Sequence, residues 1–402
     1  MPFLSLNDIA RAFGSLEGKT VLVRADLNVP MRDGRVSDET RLRSIEPTIA
    51  VLRAQGARVL LLTHFGRPEG KLVDEFSLKH IVEPLAVVLG EPIGFATDCV
   101  GDAVSAALAG PEQIILLENL RFHPGEEADD DAFAKALAKH GDIYVNDAFS
   151  AAHRAHASTH GITKHIPSFC GLGMLRELDA LTRALGDPKR PVAAIVGGSK
   201  VSTKLDVLTN LVQRVDHLII GGGMANTFLF AKGIGVGASL CETSLSETAQ
   251  SILARAEETG TTVHLPYDVV VAKALKPNIA TRTINIHDVA DDDMILDVGP
   301  SSVEALGDVL KTCRTLIWNG PLGAFETPPF DQGTVALAQT AAALGAGGDL
   351  LSVAGGGDTV AALAHAGVVE RFGHVSTAGG AFLEWMEGRE LPGVKALEEQ
   401  AA

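Results

Sequence analysis

Short hydrophobic runs recur along the chain, and each is followed by polar residues or glycines and then by a helix-like pattern. Runs that are hydrophobic almost throughout are typical of strands buried on both faces, and their alternation with helices indicates parallel sheets. The pattern therefore predicts an α/β fold. The runs are TVLVRADLNVP, ARVLLLTHFGRP, QIILLENLRFHPG and DIYVNDAFS in the first half, and VAAIVGGSK, HLIIGGGMANTFL, TVHLPYDVVVA, TLIWNGPLGAF, LLSVAGGGDTVAAL and GHVSTAGGAF in the second.

The residues that end these runs change near the middle of the chain, from Arg, His, Asp and Asn to glycines. Between the two groups, segment 172–191 (LGMLRELDALTRALGDPKRP) has a helical pattern that stops at Gly186 and Pro188. So many strands would also be unusual for one sheet. We therefore predict two doubly wound parallel-sheet (Rossmann-like) domains, residues 1–171 and 192–380, joined by a hinge helix and turn at 172–191.

The chain carries 34 basic and 50 acidic side chains, a formal net charge of −16, which argues against nucleic-acid binding through its general field. Its 4 cysteines are widely spaced and form no C-x-x-C pair, which argues against a zinc ribbon or disulfide framework and fits a reducing compartment. The first residues lack the apolar core of a signal peptide, and no apolar run is long enough to span a membrane. We therefore expect a cytoplasmic protein without membrane or nucleic-acid partners.

Three stretches of the second half share one pattern, a strand followed by glycines and a helix: AIVGGSKVSTKLDVL, LIIGGGMANTFLFAKG and LLSVAGGGDTVAALAHAG. Such loops let a backbone approach a ligand closely, and the helix N-terminus offers N–H donors to phosphate. One such loop is equally typical of tight packing alone, whereas three in one half favour ligand binding. Lys200 and Lys204 add positive charge to the first of them. Two other glycine motifs are excluded, because GSLEGKT (14–20) precedes a strand and GIGVGA (233–238) follows a helix.

Asp358 directly follows the glycines 355–357 and is expected at the start of a helix. Aspartate is a good helix N-cap, because its carboxylate accepts the first unpaired N–H groups. A single carboxylate beside a phosphate-binding loop is also typical of a magnesium site. The two roles are compatible, and the sequence leaves both open.

Cationic side chains gather at the ends of the predicted strands of the first half. A single arginine at such a position usually forms a surface ion pair. Several at equivalent positions in an acidic protein favour a small, highly charged anion as ligand, because guanidinium groups bind phosphate and carboxylate through paired hydrogen bonds. These strand-end residues are Arg24, Asp26, Asn28, His64, Arg67, Arg121, His123 and Arg154, and Arg41 opens the helix after DGRVSDET.

Residues 146–161, NDAFSAAHRAHASTHG, contain three histidines whose spacing would place them on one face of a helix. A metal site is disfavoured there, because Arg154 would repel a dication and no carboxylate or cysteine stands at ligand spacing. We interpret the segment as part of the anion site, with Arg154 as the binding residue. The histidines 153, 156 and 160 are assigned a structural or supporting role, with an exposed turn as the alternative.

Eight motifs together resemble the phosphoglycerate kinase family, in the family's order and from about residue 5 to LPGVKAL near the end. Departures are small: Phe65 for a common Leu, Ser199 where Ala is also common, and Ala378 for a usual glycine. The motifs are VRADLNVP, LLTHFGRPEG, LLENLRFHPGEE, DAFSAAHRAHAS, GGSKVSTKL, GGGMANTFL, WNGPLGAFE and AGGGDTVAAL.

The resemblance implies a glycolytic and gluconeogenic phosphotransferase that moves a phosphoryl group reversibly from 1,3-bisphosphoglycerate to ADP, giving 3-phosphoglycerate and ATP. It implies that domain 1–171 binds 3-phosphoglycerate, that domain 192–380 binds ADP or ATP with Mg²⁺, and that the tail 381–402 packs back on the first domain. A monomer that closes about the segment 172–191 is also implied.

The resemblance further implies roles for individual residues. Arg67, Arg121 and Arg154 would hold the 3-phosphate, while Asp26, Asn28, Arg41 and His64 would meet the carboxyl end and hydroxyl, with Arg24 alongside. The nucleotide site would comprise Lys204, Gly222, Gly223, Glu326 on the ribose, Gly355, Gly356, Gly357, Asp358 and Thr359, with Asp358 as the metal ligand. Arg41, Lys200 and Lys204 would neutralise the transferring group, and no general base is needed because the nucleophile is already an anion.

The sequence also allows two alternative functions to be compared with its motifs. An NAD(P)-dependent oxidoreductase would need a strand before its G-x-G-x-x-G motif and an acidic residue about twenty positions later, and no segment offers both. A non-catalytic nucleotide-binding scaffold on the same fold would be indicated by loss of one of the named cations. None is lost.

Overall fold

The computed structural model describes residues 3–401, which divide into two compact units. Unit 1 consists of residues 3–178 and 390–401, and unit 2 of residues 179–389. Each unit contains a parallel sheet flanked by helices, so the predicted α/β class with two parallel sheets is confirmed. No helix within residues 3–401 is both long and apolar enough to cross a membrane.

The sheet of unit 1 is parallel throughout, with the order β5-β6-β4-β1-β7-β8. A short hairpin, β2–β3, lies outside it. The elements of unit 1 are α1 Leu6–Phe13, β1 Thr20–Arg24, β2 Met31–Arg32, β3 Arg35–Val36, α2 Thr40–Ser44, α3 Glu46–Ala54, β4 Arg58–Leu62, α4 Val82–Leu89, β5 Ile93–Ala96, α5 Asp102–Leu108, β6 Ile114–Leu117, α6 Pro124–Glu127, α7 Asp131–Ala138, β7 Ile143–Asn146, β8 Ser168–Cys170, the first residues of α8 Leu172–Leu181, and α16 Pro392–Glu399.

The strands of unit 1 are hydrophobic almost throughout because both faces of the sheet are covered. Side chains along a strand point alternately to opposite faces, and they enter two separate cores here. Val21 and Val23 of β1 belong to the core formed with α1, α3 and α4, whereas Leu22 belongs to the core formed with α5 and α7. A strand with only one buried face would instead alternate polar and apolar residues.

The main sheet of unit 2 is also parallel, with the order β11-β10-β9-β15-β16-β17. Its elements follow the end of α8 and a π-helical turn at Thr182–Gly186. They are β9 Val192–Val196, α9 Leu205–Leu211, β10 His217–Ile220, α10 Gly222–Ala231, α11 Ser246–Thr259, β11 Thr262–His264, β12 Asp268–Ala272, β13 Arg282–Asn285, β14 Met294–Val298, α12 Pro300–Thr312, β15 Thr315–Asn319, α13 Gln332–Ala346, β16 Leu351–Gly355, α14 Gly357–His365, β17 His374–Ser376 and α15 Gly380–Met386.

A second, antiparallel sheet in unit 2, with the order β13-β12-β14, departs from the sequence prediction. The sequence pattern predicts the run TVHLPYDVVVA as one strand of a parallel sheet, and this prediction is wrong. It contains two strands, β11 in the parallel sheet and β12 in the antiparallel one. Pro266 lies between them, and proline interrupts a sheet because it has no N–H to donate.

The chain enters unit 2 within α8 and returns to unit 1 near its end. The helical pattern predicted at 172–191 corresponds to α8 and the π-helical turn, which ends at Gly186. Residues 380–389 belong to unit 2, and the return starts at 390, nine residues later than the expected tail. In unit 1, the Gly393 N–H donates to the Ala152 carbonyl over 2.8 Å, and the Gln400 amide donates to the Thr163 carbonyl over 3.2 Å.

Candidate functional site

The predicted anion-binding residues of unit 1 meet at one edge of its sheet. In the order β6-β4-β1-β7 these parallel strands are neighbours, so their carboxyl ends lie side by side. Arg24 ends β1, while the others lie in the loops that follow β4, β6 and β7 or on α2. We call this group the cationic edge: Arg24, Arg41, His64, Arg67, Arg121 and Arg154.

Arg24 is almost completely buried, with 1% of its surface exposed. Its Nε donates to Ser158 Oγ over 2.9 Å, and its Nη2 lies 3.0 Å from His64 Nδ1. Ser158 Oγ donates in turn to Glu126 Oε1 over 2.6 Å, and the Ser158 N–H donates to the other oxygen over 3.0 Å. Glu126 is fully buried. The guanidinium is therefore held in place by Ser158, which is itself hydrogen-bonded to a buried carboxylate.

Arg41 and Asp26 form an ion pair at the same edge. Arg41 Nη1 donates to Asp26 Oδ1 and to the Asn28 carbonyl, each over 3.0 Å. Asp26 also accepts from Ser150 Oγ over 2.5 Å, and Asn28 Oδ1 accepts from the Gly66 N–H over 3.0 Å. Both charged side chains are only partly exposed. The structure thus brings Asp26, Asn28 and Arg41 together.

Arg121 lies close enough to Arg24 and Arg154 for their charges to act on it. Arg121 Nη1 donates to the Gly66 carbonyl over 2.8 Å, and its Nε lies 3.1 Å from Glu127 Oε1. Burial, and then the charges of Arg24 and Arg154, lower the pKa of Arg121 against the opposing effect of Glu127. Such crowding of positive charge favours a bound anion.

The other two arginine positions face solvent. Arg154 is exposed, and its Nε donates to His153 Nε2 over 3.2 Å. Arg67 is exposed in the loop after β4, and within the described residues its guanidinium has no hydrogen bond or ion pair. Both side chains are therefore available to a ligand.

His64 remains neutral at this edge. Burial, together with the charges of Arg24, Arg121 and Arg41, lowers its pKa well below the ordinary histidine value. Its Nδ1 is then able to accept from Arg24 while Nε2 carries the proton. A neutral imidazole in this state is a hydrogen-bond donor to an anionic ligand.

The three histidines of 146–161 do not share one helix face, because residues 152–160 form turns. His156 is buried, with Nδ1 3.8 Å from Glu126 Oε1, and His160 Nδ1 lies 2.6 Å from Asp129 Oδ2. The sequence spacing gave no sign of these carboxylates, which come from a segment about thirty residues earlier. The histidines support the loop that carries Arg154.

The His156 pKa predicts a loss of stability in acid. Burial, and then Arg24 and Arg121, lower this pKa to about 4, whereas the unfolded chain has the ordinary value of 6.5. The stabilisation is therefore complete above pH 6.5 and is lost as the pH falls from 6.5 towards 4. Between pH 7 and pH 5 we expect His156 to account for about 2 kcal/mol of the decrease in unfolding free energy.

Urea unfolding of wild type and His156→Gln at the two pH values would measure this effect. The variant should lose less stability on acidification, while the control His80→Gln, at an exposed position of the same unit, should follow wild type. Equal acid sensitivity of His156→Gln and wild type would contradict the assignment.

The glycine-rich loops of unit 2 border a cavity of about 340 Å³. This volume is in the range of small-molecule sites, which are mostly apolar with a few polar groups. Leu240, Leu265 and Met294 supply apolar walls. Four of the predicted nucleotide-binding residues line it: Gly222, Gly223, Glu326 and Asp358.

Close packing between these loops explains why they need glycine. Gly222 has φ +66°, and a Cβ there would lie 2.6 Å from the Gly198 carbonyl oxygen. A Cβ on Gly223 would lie 2.7 Å from the Ser199 carbonyl oxygen, and one on Gly355 would lie 2.6 Å from the Phe382 ring. The sequence leaves tight packing as the alternative to ligand approach, and the structure shows that these glycines do permit close packing.

Of the two lysines in the first glycine-rich loop, Lys204 is the more firmly held. Its Nζ donates to Asn319 Oδ1 over 2.6 Å, and Asn319 Nδ2 donates to the Gly355 carbonyl over 2.7 Å. Burial lowers the Lys204 pKa, and the Asp358 carboxylate opposes that shift. Lys200 is exposed at the start of the turn Val201–Thr203. Asn319 thus connects the lysine loop to the third glycine loop.

The Asp358 N-cap hypothesis is wrong. The helix α14 begins at Gly357, its N-cap is Gly356 with φ +96°, and Asp358 lies in its first turn without a capping hydrogen bond. A Cβ at position 356 would also lie 2.6 Å from Asn319 Nδ2. The exposed Asp358 carboxylate, which lines the cavity, fits the donor set of a magnesium ion held mainly by nucleotide phosphates.

The remaining predicted residues have unlike surroundings. Thr359 is buried, and its Oγ1 accepts from the Gly320 N–H over 2.7 Å, so this hydroxyl supports the loop after β15. Glu326 is exposed beside the cavity, and Gly357 has open space around it.

The sequence prediction does not include three residues that hold the predicted ones in place, Glu126, Ser158 and Asn319. Only Asn319 had a sequence signal, because it ends a strand as the other candidates do.

The chain is similar to known proteins over nearly its whole length. The family model described as phosphoglycerate kinase matches residues 10–389. A phosphoglycerate kinase of Rhizorhabdus wittichii is 65% identical over 400 residues, covering 99% of this chain and 100% of the relative. One of Zymomonas mobilis is 62% identical over 400 residues, with the same coverage. Among solved structures, phosphoglycerate kinase from Coxiella burnetii aligns with TM-score 0.90 and 41% identity over 100% of both chains, and that from Pyrococcus horikoshii with TM-score 0.81 and 29% identity over 99% of both.

Proposed function

Because this chain belongs to the phosphoglycerate kinase family and catalyses the glycolytic transfer of a phosphoryl group between 1,3-bisphosphoglycerate and ADP, we propose that unit 1 binds the phosphoglycerate and unit 2 binds the nucleotide. The observation that carries this assignment is the cationic edge, where Arg24, Arg41 and Arg121 gather around a neutral His64. 3-Phosphoglycerate is a small trianion, and guanidinium groups match both its phosphate and its carboxylate.

Within unit 1, we assign Arg67, Arg121 and Arg154 to the 3-phosphate. The carboxyl end and hydroxyl are assigned to Asp26, Asn28, Arg41 and His64. Arg24 is buried and hydrogen-bonded to Ser158, and it orients His64 through the contact between its Nη2 and His64 Nδ1. The guanidinium groups of Arg67 and Arg154 are exposed to an incoming phosphate, whereas Arg121 is already positioned by the Gly66 carbonyl.

The chemical step needs positioning and charge neutralisation more than covalent help from the protein. A β-phosphate oxygen of ADP attacks the phosphorus of the acyl phosphate, and the bond from phosphorus to the acyl oxygen breaks to leave a carboxylate. Arg41, Lys200 and Lys204 neutralise the transferring group. The N–H groups at the start of α10 and α14 add partial positive charge on the nucleotide side. The attacking oxygen is already anionic, so no side chain has to remove a proton.

We propose that Asp358 is the protein's ligand to Mg²⁺, which when bound neutralises nucleotide charge. Replacing Asp358 by Asn should then raise the Mg²⁺ concentration for half-maximal activity at least about tenfold. The measurement is a Mg²⁺ titration of initial rate at fixed nucleotide. Asp308→Asn is the control, because the Asp308 carboxylate pairs with Lys311 at an exposed site of the same unit. An unchanged Mg²⁺ requirement in Asp358→Asn would refute the assignment.

We also propose that the segment around α8 and its π-helical turn acts as a hinge that lets the substrates meet. X-ray scattering should then give a smaller radius of gyration with 3-phosphoglycerate, ADP and Mg²⁺ together, a combination that cannot react, than with either substrate alone. Equal radii in all three conditions would exclude closure on substrate binding.

The proposed division of substrates is tested by the coupled assay for 1,3-bisphosphoglycerate formation, run on wild type and Arg41→Ala with separate binding measurements. The variant should lose activity and affinity for 3-phosphoglycerate while it keeps its affinity for ATP. Loss of ATP affinity instead would reverse the assignment of the units. An inactive wild type that binds ATP would favour the non-catalytic scaffold.

We further propose that the protein is a cytoplasmic monomer, in keeping with its metabolic reaction and free cysteines.

A further inference from the structure

Asp98, Cys99 and His123 form a cluster that contains none of the residues assigned above to a substrate. His123, which the sequence placed among the strand-end cations, pairs with Asp98 instead. Asp98 and Cys99 follow β5, and His123 follows the turn Leu120–Phe122 after β6. Since β5 and β6 are neighbouring parallel strands, these loops leave the sheet side by side. A carboxylate oxygen, the Cys99 Sγ and a ring nitrogen all lie within 4.8 Å of one another.

The side chains of this cluster are already oriented towards each other. His123 Nε2 lies 2.7 Å from Asp98 Oδ1, and the His123 ring stacks on Phe133 with centroids 4.7 Å apart. Cys99 Sγ donates to the Glu118 carbonyl over 2.9 Å. Cys99 is buried, whereas the side chains of Asp98 and His123 are 46% and 30% exposed. Solvent ions can therefore reach the cluster from the Asp98 and His123 side.

The charges around Cys99 favour a cation. The Asp98 carboxylate lies beside both the Cys99 thiol and the His123 ring, and its negative charge attracts a dication. A bound dication would in turn stabilise the thiolate, as it does in metal–cysteine sites.

We propose that Asp98, Cys99 and His123 bind a thiophilic divalent cation of the zinc class. Oxygen, nitrogen and sulfur donors in one set suit Zn²⁺, whereas Mg²⁺ and Ca²⁺ select oxygen ligands. Zn²⁺ is commonly held by three protein ligands with water in the fourth position. On binding, the thiol releases its proton to solvent, and the hydrogen bond between His123 and Asp98 is replaced by two bonds to the metal. This site is separate from Asp358, which offers a single carboxylate.

Cobalt spectroscopy on the full-length protein tests the proposal, with excess Mg²⁺ present to occupy oxygen-only sites. Chelator-treated wild type titrated with Co²⁺ should develop a thiolate-to-cobalt charge-transfer band that saturates at one equivalent, and Zn²⁺ should remove the band. Cys99→Ser should lack it. Cys241→Ser, which changes a partly exposed thiol in unit 2, should keep it. No band in wild type, or a band that persists in Cys99→Ser, would overturn the proposal.

A second measurement guards against misfolding of the buried Cys99 variant. His123→Ala and Asp98→Asn change the more exposed ligands, and their folding is checked by circular dichroism. In competition with a chromophoric chelator, each should bind Zn²⁺ at least about tenfold more weakly than wild type. The control His165→Ala, which removes a histidine paired with Asp131 elsewhere in unit 1, should bind as wild type does. Wild-type affinity in both ligand variants would refute the site.

Discussion

Replacing Lys204 by Ala is expected to lower kcat about 100- to 1000-fold while affinity for 3-phosphoglycerate is kept. The Lys204 Nζ is half-buried and fixed by Asn319 Oδ1 at 2.6 Å, so its charge stands at a defined position before substrate arrives. A charge that is fixed in a partly desolvated site stabilises developing charge more strongly than a mobile one in water. The loss should therefore appear mainly in the chemical step.

The measurement is steady-state kinetics in both directions, with 3-phosphoglycerate binding followed separately. Lys311→Ala is the control, because Lys311 belongs to the same unit but pairs with Asp308 at the surface. A Lys204→Ala enzyme with wild-type kcat and only a raised KM for nucleotide would assign Lys204 to binding alone. Asn319→Ala should show a smaller loss of the same kind, since it releases the lysine without removing its charge.

Replacing Arg24 by Ala is expected to lower the unfolding free energy by about 3 kcal/mol in addition to impairing activity. The change leaves Ser158 and the fully buried Glu126 without their positive partner. Breaking a buried charge pair usually lowers stability by about 3–5 kcal/mol. The lower value applies here because burial already raises the Glu126 pKa, so the carboxylate can take up a proton when Arg24 is lost.

Two probes of urea unfolding would locate this loss. Both tryptophans, Trp318 and Trp385, lie in unit 2, so their fluorescence reports on that unit, whereas circular dichroism reports on both. The dichroism transition of Arg24→Ala should move to lower urea by more than the fluorescence transition does. Arg11→Ala, at an exposed ion pair of unit 1, is the control and should unfold as wild type does. Wild-type stability in Arg24→Ala would contradict the buried network.

The candidate anion site could be anticipated from the sequence because parallel strands share one carboxyl edge. Arg24, His64 and Arg121 are far apart in the chain, yet each follows a recognisable strand, and neighbouring strands bring them together. The same reasoning located the glycine loops of the cavity. Sequence pattern is informative here since both strand ends and glycine turns carry a local signal. The roles of the individual residues remain predictions for the experiments above.

Features that depend on long-range contact could not be anticipated. Glu126 and Ser158 are 32 residues apart, and nothing local marks their hydrogen bond. The N-cap prediction for Asp358 failed because Gly356, with its positive φ, is the N-cap, so the helix begins two residues earlier than an N-cap at Asp358 would place it, a backbone property that sequence does not report. Pro266 was a visible signal for the break between β11 and β12, but only tertiary pairing decides that β12 joins an antiparallel sheet.

The return of residues 390–401 to unit 1 has a consequence for synthesis on the ribosome. Unit 2 is one continuous segment, whereas unit 1 also includes α16, whose Gly393 N–H donates to the Ala152 carbonyl. Domains generally fold as units as they emerge. The nascent N-terminal half therefore lacks one helix of unit 1 until all of unit 2 has been translated. The first part of this chain to be made is the last to be completed.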